Sequence, residues 1–169
     1  IALAFILVKF IVYPGLGLIL STPYPIVAVV SGSMEHKLAI DAQGSLRLCG
    51  KAFGEKVSVD HDLFWTSCGS WYESANITQN NFQDFPFASG FNRGDIMILY
   101  GKKAENIGVG DIIVFRSKRP DPIIHRVVKV INDKGGKIIF QTKGDHNAGM
   151  IQSSSLDEYN IPYEKVIGN

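Results

Sequence analysis

Residues 111–143 read "DIIVFRSKRPDPIIHRVVKVINDKGGKIIFQTK". Three runs in this stretch are rich in Ile, Val and Phe, which is typical of β-strands: 112–115, 123–131 and 138–140. A Pro-containing connection separates the first two runs, and the turn sequence "NDKGG" separates the last two. Short strands with short connections and no long helix between them predict an antiparallel sheet.

Similar runs outside this stretch extend the prediction. "DIMILY" at 95–100 and the β-branched "IVAVV" at 26–30 both have the composition of strands. We therefore predict a mainly β fold, with a partly closed antiparallel β-domain over residues 21–169.

The first twenty residues, "IALAFILVKFIVYPGLGLIL", contain one charge, Lys9. As a helix they would be about 30 Å long, which matches the hydrocarbon core of a bilayer. Lys9 near the bilayer centre would cost about 2.5–3.5 kcal/mol, unless it snorkels to an interface. Residues 1–20 are thus predicted to be a transmembrane anchor, with a buried core helix as the alternative. Because the chain opens on Ile rather than Met, we expect this anchor to be truncated at its start.

Residues 38–92 differ in pattern and are predicted to be a partly helical insertion. An apolar helical stripe, with Ser58 as the candidate cap, consists of Phe64, Cys68, Trp71 and Ala75. Cys49 and Cys68 either form a disulfide or remain two free thiols. A zinc site built from these cysteines with His36 and His61 lacks a tight ligand spacing, so no metal is expected.

Bulk composition excludes some functions. The chain has 169 residues, a hydrophobic fraction of 46% and a formal net charge of +1. This composition suits a globular or membrane-attached domain, and it lacks the excess of positive charge typical of proteins that bind nucleic acid.

Two serines flank a glycine in "VVSGSMEHK", residues 29–37. Gly beside Ser is ordinary turn chemistry, but a serine hydroxyl becomes a nucleophile when a base removes its proton. His125 is the best candidate base, because a strand holds its imidazole in a defined direction. It could equally be a hydrogen-bonded structural histidine. In "TKGDHN", Asp145 could orient the imidazole or form an Asx turn.

Five segments follow the apolar N-terminus in this order: "SGSMEH", "RGDIMILYG", "VGDIIVF", "IIHRVVKV" and "TKGDHN". Together they resemble the type I signal peptidases of the endoplasmic-reticulum and archaeal branch. The resemblance covers residues 1–147, interrupted between Lys37 and Asn92. It implies the signal-peptidase fold and a membrane-bound serine endopeptidase that removes signal peptides from secreted and membrane preproteins. It also implies one N-terminal span, with the catalytic domain on the extracytoplasmic or lumenal side.

The resemblance assigns roles to residues of this chain. Ser33 corresponds to the nucleophile and His125 to the base, where the bacterial branch has a lysine. The Ser31 hydroxyl and the Ser33 backbone N–H correspond to the oxyanion hole. Asp145 is the expected third catalytic member, with Asp157 as its rival. Position 36 is His where the family often has Pro.

No cofactor is implied; the expected partners are signal peptides and membrane lipid, and the sequence does not identify accessory subunits. Two other functions stay open at this point. One is a catalytically inactive membrane-anchored scaffold or binding protein on the same fold. The other is a self-cleaving repressor type that uses a lysine base, for which Lys129 or Lys143 would have to approach Ser33.

Overall fold

The computed structural model describes residues 2–133 and 135–169. The chain begins with a helix, Ala2–Ile19, whose middle turn, Val8–Val12, is π-helical. None of its residues is buried, and by length and composition it could cross a membrane. The side chains of this helix therefore contribute nothing to the core, contrary to the core-helix alternative.

The central sheet has five strands in the order β10–β6–β7–β8–β9, and every neighbouring pair is antiparallel. Its members are β6 (Ile112–Phe115), β7 (Ile123–Asn132), β8 (Ile138–Lys143), β9 (Ile161–Pro162) and β10 (Val166–Gly168). The register places Ile113 opposite His125 and Lys143 opposite Arg126. Three of these strands were predicted from their apolar runs, and their existence is confirmed.

A two-stranded ribbon pairs β1 (Ile26–Ala28) with β5 (Ile96–Ile98). The predicted strand at 26–30 ends earlier than expected. Beyond Ala28, the Val29 N–H donates to the Asp95 carbonyl and the Val29 carbonyl accepts from Gly94 N–H. Gly94, which faces Val29 from the segment before β5, has a φ of +96°, and the regular pairing of the ribbon does not extend to it.

The predicted insertion contains a small sheet and two helices. The sheet orders β2 (Ala39–Ile40), β3 (Leu46–Leu48) and β4 (Lys51–Phe53), and the helices are His61–Ser74 and Gln79–Gln83. The longer one, named the insertion helix, is capped by Asp60, which accepts from Leu63 N–H, rather than by Ser58. Cys49 and Cys68 form a disulfide that joins the end of β3 to this helix.

The described strands thus form three separate antiparallel sheets, which agrees with the predicted antiparallel pairing. Helices contribute about as many residues as strands, so mainly β describes the chain only loosely. Partial closure of the domain and its signal-peptidase type stay predictions.

Candidate active site

Ser33 lies in a tight turn a few residues after β1. Glu35 N–H donates to the Gly32 carbonyl at 3.1 Å and closes the turn. The next side chain, Met34, is fully buried and anchors the turn in the core, while Ser33 stays partly exposed. The Ser33 carbonyl accepts from His146 N–H at 2.9 Å. The hydroxyl therefore points from a fixed backbone toward accessible space.

His125 reaches Ser33 from the middle of β7. Its Nε2 lies 2.8 Å from Ser33 Oγ, and the residue is 3% exposed. The next residue, Arg126, projects to the opposite side of the strand and is fully buried, as strand alternation predicts. The two residues chosen from sequence as nucleophile and base are therefore in hydrogen-bonding contact.

The third member of the site is a carboxylate, but it is not one of the two aspartates that the sequence predicted. His125 Nδ1 lies 2.5 Å from Oε1 of Glu158, and no hydrogen bond joins Asp145 to His125. Asp157 is exposed and accepts from Tyr159 N–H instead. Neither aspartate thus occupies the position predicted for it.

Local backbone geometry explains why Glu158 occupies this position. Gln152 and Asp157 form an isolated β-bridge, and this extended backbone turns Leu156 and Glu158 inward while Asp157 faces solvent. The carboxylate is fixed by Thr142 Oγ1, which donates to Oε1 at 3.1 Å, and by Ile151 N–H, which donates to Oε2 at 2.7 Å. The one sequence signal for an inward-facing Glu158 was the apolar Leu156, because residues two apart in extended backbone face the same side.

Asp145 is instead the centre of a buried polar cluster. Arg126 donates to it through Nε at 2.9 Å and Nη2 at 2.7 Å, and Tyr72 Oη donates to Oδ1 at 2.8 Å. His36 Nε2 contacts Oδ2 at 3.0 Å. Burial opposes ionisation of this carboxyl, yet the Arg126 charge and the His36 hydrogen bond hold its pKa well below the usual range. Sequence reasoning did not find this cluster, because its members lie far apart in the chain.

Ser31 lies beside the nucleophile. Its hydroxyl oxygen is 3.0 Å from Ser33 Oγ, and no described residue accepts a hydrogen bond from Ser33 N–H. The structure therefore places the Ser31 hydroxyl within hydrogen-bonding distance of the nucleophile.

Neither lysine considered as an alternative base contacts Ser33. Lys143 Nζ is buried and donates to the carbonyls of Gly144 and Asp145 at 3.0 and 3.1 Å. Burial lowers its pKa to about 8. Lys129 is exposed on the far half of β7. These positions argue against the lysine-dependent mechanism.

A cleft of about 330 Å³ opens beside Ser33 and His125. Its walls include Val30, Ile123 and Ile151, with Arg119, Asp121 and Asn147 contributing polar groups. Among residues 2–133 and 135–169, no cluster of three His, Cys, Asp or Glu side chains could hold a metal ion.

The site can carry out nucleophilic acyl transfer. A hydroxyl in contact with a buried imidazole, which in turn contacts a buried carboxylate, is the arrangement that activates serine nucleophiles. The cleft provides space next to the hydroxyl for a carbonyl group.

Known proteins with similar sequences carry a name that fits this chemistry. The chain is 45% identical over 58 residues to the human "Signal peptidase complex catalytic subunit SEC11C", covering 34% of this chain and 30% of the relative. It is 46% identical over 59 residues to the "Signal peptidase complex catalytic subunit SEC11" of Eremothecium gossypii, covering 34% and 35% of the two chains.

The human "Putative signal peptidase complex catalytic subunit SEC11B" is 44% identical over 59 residues, which cover 34% of this chain and 36% of the relative. The chain thus spans about a third of the length of the curated relatives it matches. No protein-family model matches it, and no solved structure gives a significant match. These names agree with the resemblance drawn from the sequence: over about a third of its length, this chain is similar to catalytic subunits of the signal peptidase complex.

Proposed function

We propose that this protein is a membrane-bound serine endopeptidase that removes signal peptides from preproteins. The observation that carries the proposal is the 2.8 Å contact between Ser33 Oγ and His125 Nε2, continued by the contact between His125 Nδ1 and Glu158. The names of the similar SEC11 chains supply the substrate class.

Acylation is the first half of the proposed reaction. Neutral His125 takes the proton of the Ser33 hydroxyl as Oγ attacks the scissile carbonyl carbon. The tetrahedral intermediate then collapses, the C–N bond breaks, and the new amine leaves with the proton returned by His125. Glu158 accepts from Nδ1–H and stabilises the imidazolium formed between these two proton transfers.

Negative charge on the former carbonyl oxygen needs donors. The nearest candidates are the N–H of Ser33 itself and the hydroxyl of Ser31, two residues earlier in the chain. Donors at these two positions fit an oxyanion hole. The hydroxyl of Ser31 contacts Ser33 Oγ in the described state, so it must turn toward the new oxyanion as Oγ bonds to carbon.

Deacylation repeats the steps with water. His125 takes a proton from a water molecule, whose oxygen attacks the ester carbon of the acyl-enzyme. The Ser33 Oγ–carbon bond breaks, and His125 returns the proton to Ser33. All proton transfers in this cycle use residues of this chain.

Substrate selection is proposed to follow from the cleft beside Ser33. An extended peptide can align along a strand edge and place alternate side chains in pockets. The family resemblance implies small residues at the first and third positions before the cut, and the apolar walls Val30 and Ile123 would contact apolar side chains there.

The N-terminal helix is proposed to anchor the enzyme beside its membrane-held substrate, with residues 21–169 on the extracytoplasmic or lumenal side. Anchoring both molecules in one bilayer raises their effective concentration. The similar proteins are named subunits of a complex, so we propose that this chain also assembles with accessory subunits in the same bilayer.

Cleavage of a model preprotein by the full chain in lipid nanodiscs tests this function. We expect wild type to cut at the signal junction, and Ser33→Ala and His125→Ala to lose activity by a factor on the order of 10⁴ or more. Ser70→Ala, an exposed serine on the insertion helix, is the matched control and should cut like wild type.

The same assay addresses the scaffold alternative. An inactive scaffold would have no reason to hold Ser33 and His125 in contact, so the 2.8 Å distance argues against it. An inactive wild type, or a Ser33→Ala variant that cuts normally, would nevertheless make the scaffold the better explanation.

A further inference from the structure

The turn at residues 144–147 packs directly against the nucleophile and the base. His146 N–H donates to the Ser33 carbonyl at 2.9 Å, and Asn147 N–H closes the turn on the Gly144 carbonyl. A methyl group placed on Gly144 would lie 2.8 Å from His125 Nε2 and 2.9 Å from the Ser33 carbonyl oxygen. Any shift of this turn therefore moves Ser33 relative to His125.

Asp145 is part of this turn, and the side chains that hold Asp145 come from two separate elements of the chain. Arg126 of β7 reaches it from the central sheet. Tyr72 reaches it from the insertion helix, with Oη 2.8 Å from Oδ1. Because both side chains are fully buried, water cannot replace a lost hydrogen bond.

His36 makes a second connection between the insertion and Asp145. Its imidazole stacks on Phe64 of the insertion helix, with ring centroids 3.7 Å apart and planes inclined by 8°. Its Nε2 is 3.0 Å from Asp145 Oδ2. Because the stacking fixes the orientation of the His36 ring, Nε2 points toward Asp145.

Arg126 and Cys49 tie the insertion to the site at further points. Arg126 Nη1 donates to the Pro86 carbonyl at 2.8 Å, and Nη2 donates to the Phe87 carbonyl at 3.0 Å. Cys49 N–H donates to the His146 carbonyl at 3.0 Å, at the very residue that binds Ser33. The insertion thus contacts the turn through both side chains and backbone.

We propose that the insertion at 38–92 positions the nucleophile, with Tyr72 and the Phe64–His36 stack holding Asp145 so that the turn at 144–147 keeps Ser33 in register with His125. This inference rests on the proposed function. Tyr72 and His36 touch no substrate atom in this scheme and act only through Asp145, so they are positioning residues.

The test compares full-length wild type with Tyr72→Phe and His36→Phe in nanodiscs. Each variant keeps an aromatic ring, so packing and stacking survive while one hydrogen bond to Asp145 is lost. Tyr100→Phe is the control, because Tyr100 is exposed and its hydroxyl has no described partner. Two quantities are measured: amide hydrogen exchange over 31–37 and 144–148, and kcat and KM for a signal-peptide substrate.

We expect exchange in those two segments to rise about tenfold in Tyr72→Phe and His36→Phe, with β7 and β8 unchanged. We expect kcat to fall roughly 5- to 50-fold while KM stays within about twofold, because misplacement affects the attack and not the binding. Tyr100→Phe should match wild type in both measurements.

Three results would overturn the proposal: exchange that stays at the wild-type rate, exchange that rises throughout β7 and β8, or faster local exchange with unchanged kcat. Failure of the proposed function is visible separately, as an inactive wild type. In that case the exchange of the two segments alone decides whether the insertion holds the turn.

Discussion

Glu158 completes the hydrogen-bonded chain that begins at Ser33. A glutamate is one methylene longer than an aspartate, so it needs more support to present one oxygen to His125. Thr142 and the Ile151 backbone supply that support from two sides, and the side chain is fully buried. A carboxylate fixed in this way selects the tautomer in which Nδ1 carries the proton and Nε2 is free to accept one.

Replacement of Glu158 by Gln removes the charge and keeps the shape. We expect kcat for signal-peptide cleavage to fall about 10²- to 10⁴-fold, because the imidazolium loses its partner charge. Asp157→Asn, one residue earlier and exposed, should retain wild-type rates. The assignment of Glu158 would be wrong if Asp157→Asn were the inactive variant of the two.

At the scale of secondary-structure elements, the insertion helix depends on one covalent link. The disulfide between Cys49 and Cys68 closes a loop with a sequence separation of 19 and joins β3 to the helix that carries Phe64 and Tyr72. The helix otherwise packs through a buried apolar cluster that includes Leu48 and Phe82. Cross-linking reduces the freedom of the unfolded chain across this loop.

The double variant Cys49→Ser/Cys68→Ser should therefore unfold more easily. For a loop of this length we expect the free energy of unfolding to fall by about 3 kcal/mol. Urea titration followed by tryptophan fluorescence gives this value, because Trp65 and Trp71 lie on the insertion helix. Wild type treated with reductant should shift by the same amount, and an unchanged midpoint in both samples would contradict the argument.

Elements with a regular pattern were predictable from sequence, whereas the loops were not. The apolar runs of β6, β7 and β8 specify both strand type and the side on which His125 lies. The segment from Gly144 to Glu158 has no such period, so nothing local tells which carboxylate turns toward His125. Contacts between distant parts of the chain decide that, and a single sequence does not list them.

The buried polar cluster around Asp145 was not predicted, for the same reason. Strand alternation puts Arg126 on the face opposite His125, but it does not show that Asp145 pairs with Arg126 rather than with the histidine. Tyr72 joins them from a helix 54 residues away from Arg126 in the chain, a connection that neither helical nor strand periodicity reveals.

For the molecule as a whole, the most unusual electrostatic feature is a lysine inside the protein. Lys143 is fully buried, and burial lowers its pKa from 10.5 to about 8, although the nearby charges of Asp145 and Glu158 act in the opposite direction. Its ammonium donates to two carbonyls and lies 4.8 Å from the ring centre of Tyr72. Between pH 8 and 10.5 the unfolded chain holds a proton on this lysine that the folded chain has released. Stability therefore rises with pH across that window.

Lys143→Met removes this titration and leaves a side chain of similar length. Between pH 7 and pH 9.5 we expect wild type to gain about 2 kcal/mol of stability relative to Lys143→Met. Urea unfolding of both proteins at the two pH values measures the difference, which cancels titrations they share. Equal changes in both proteins would show that Lys143 is protonated throughout.

Gly144 restricts how the sequence of this protein can drift over evolutionary time. A side chain there would displace His125, Ser33 or Asn147, whereas one on Gly108 would meet no atom within 4 Å. A substitution at position 108 therefore leaves the active site unchanged, whereas almost every substitution at position 144 disturbs it and is selected against. In a descendant that keeps this fold, a side chain at the position of Gly144 therefore predicts that Ser33 and His125 have moved from the positions described here.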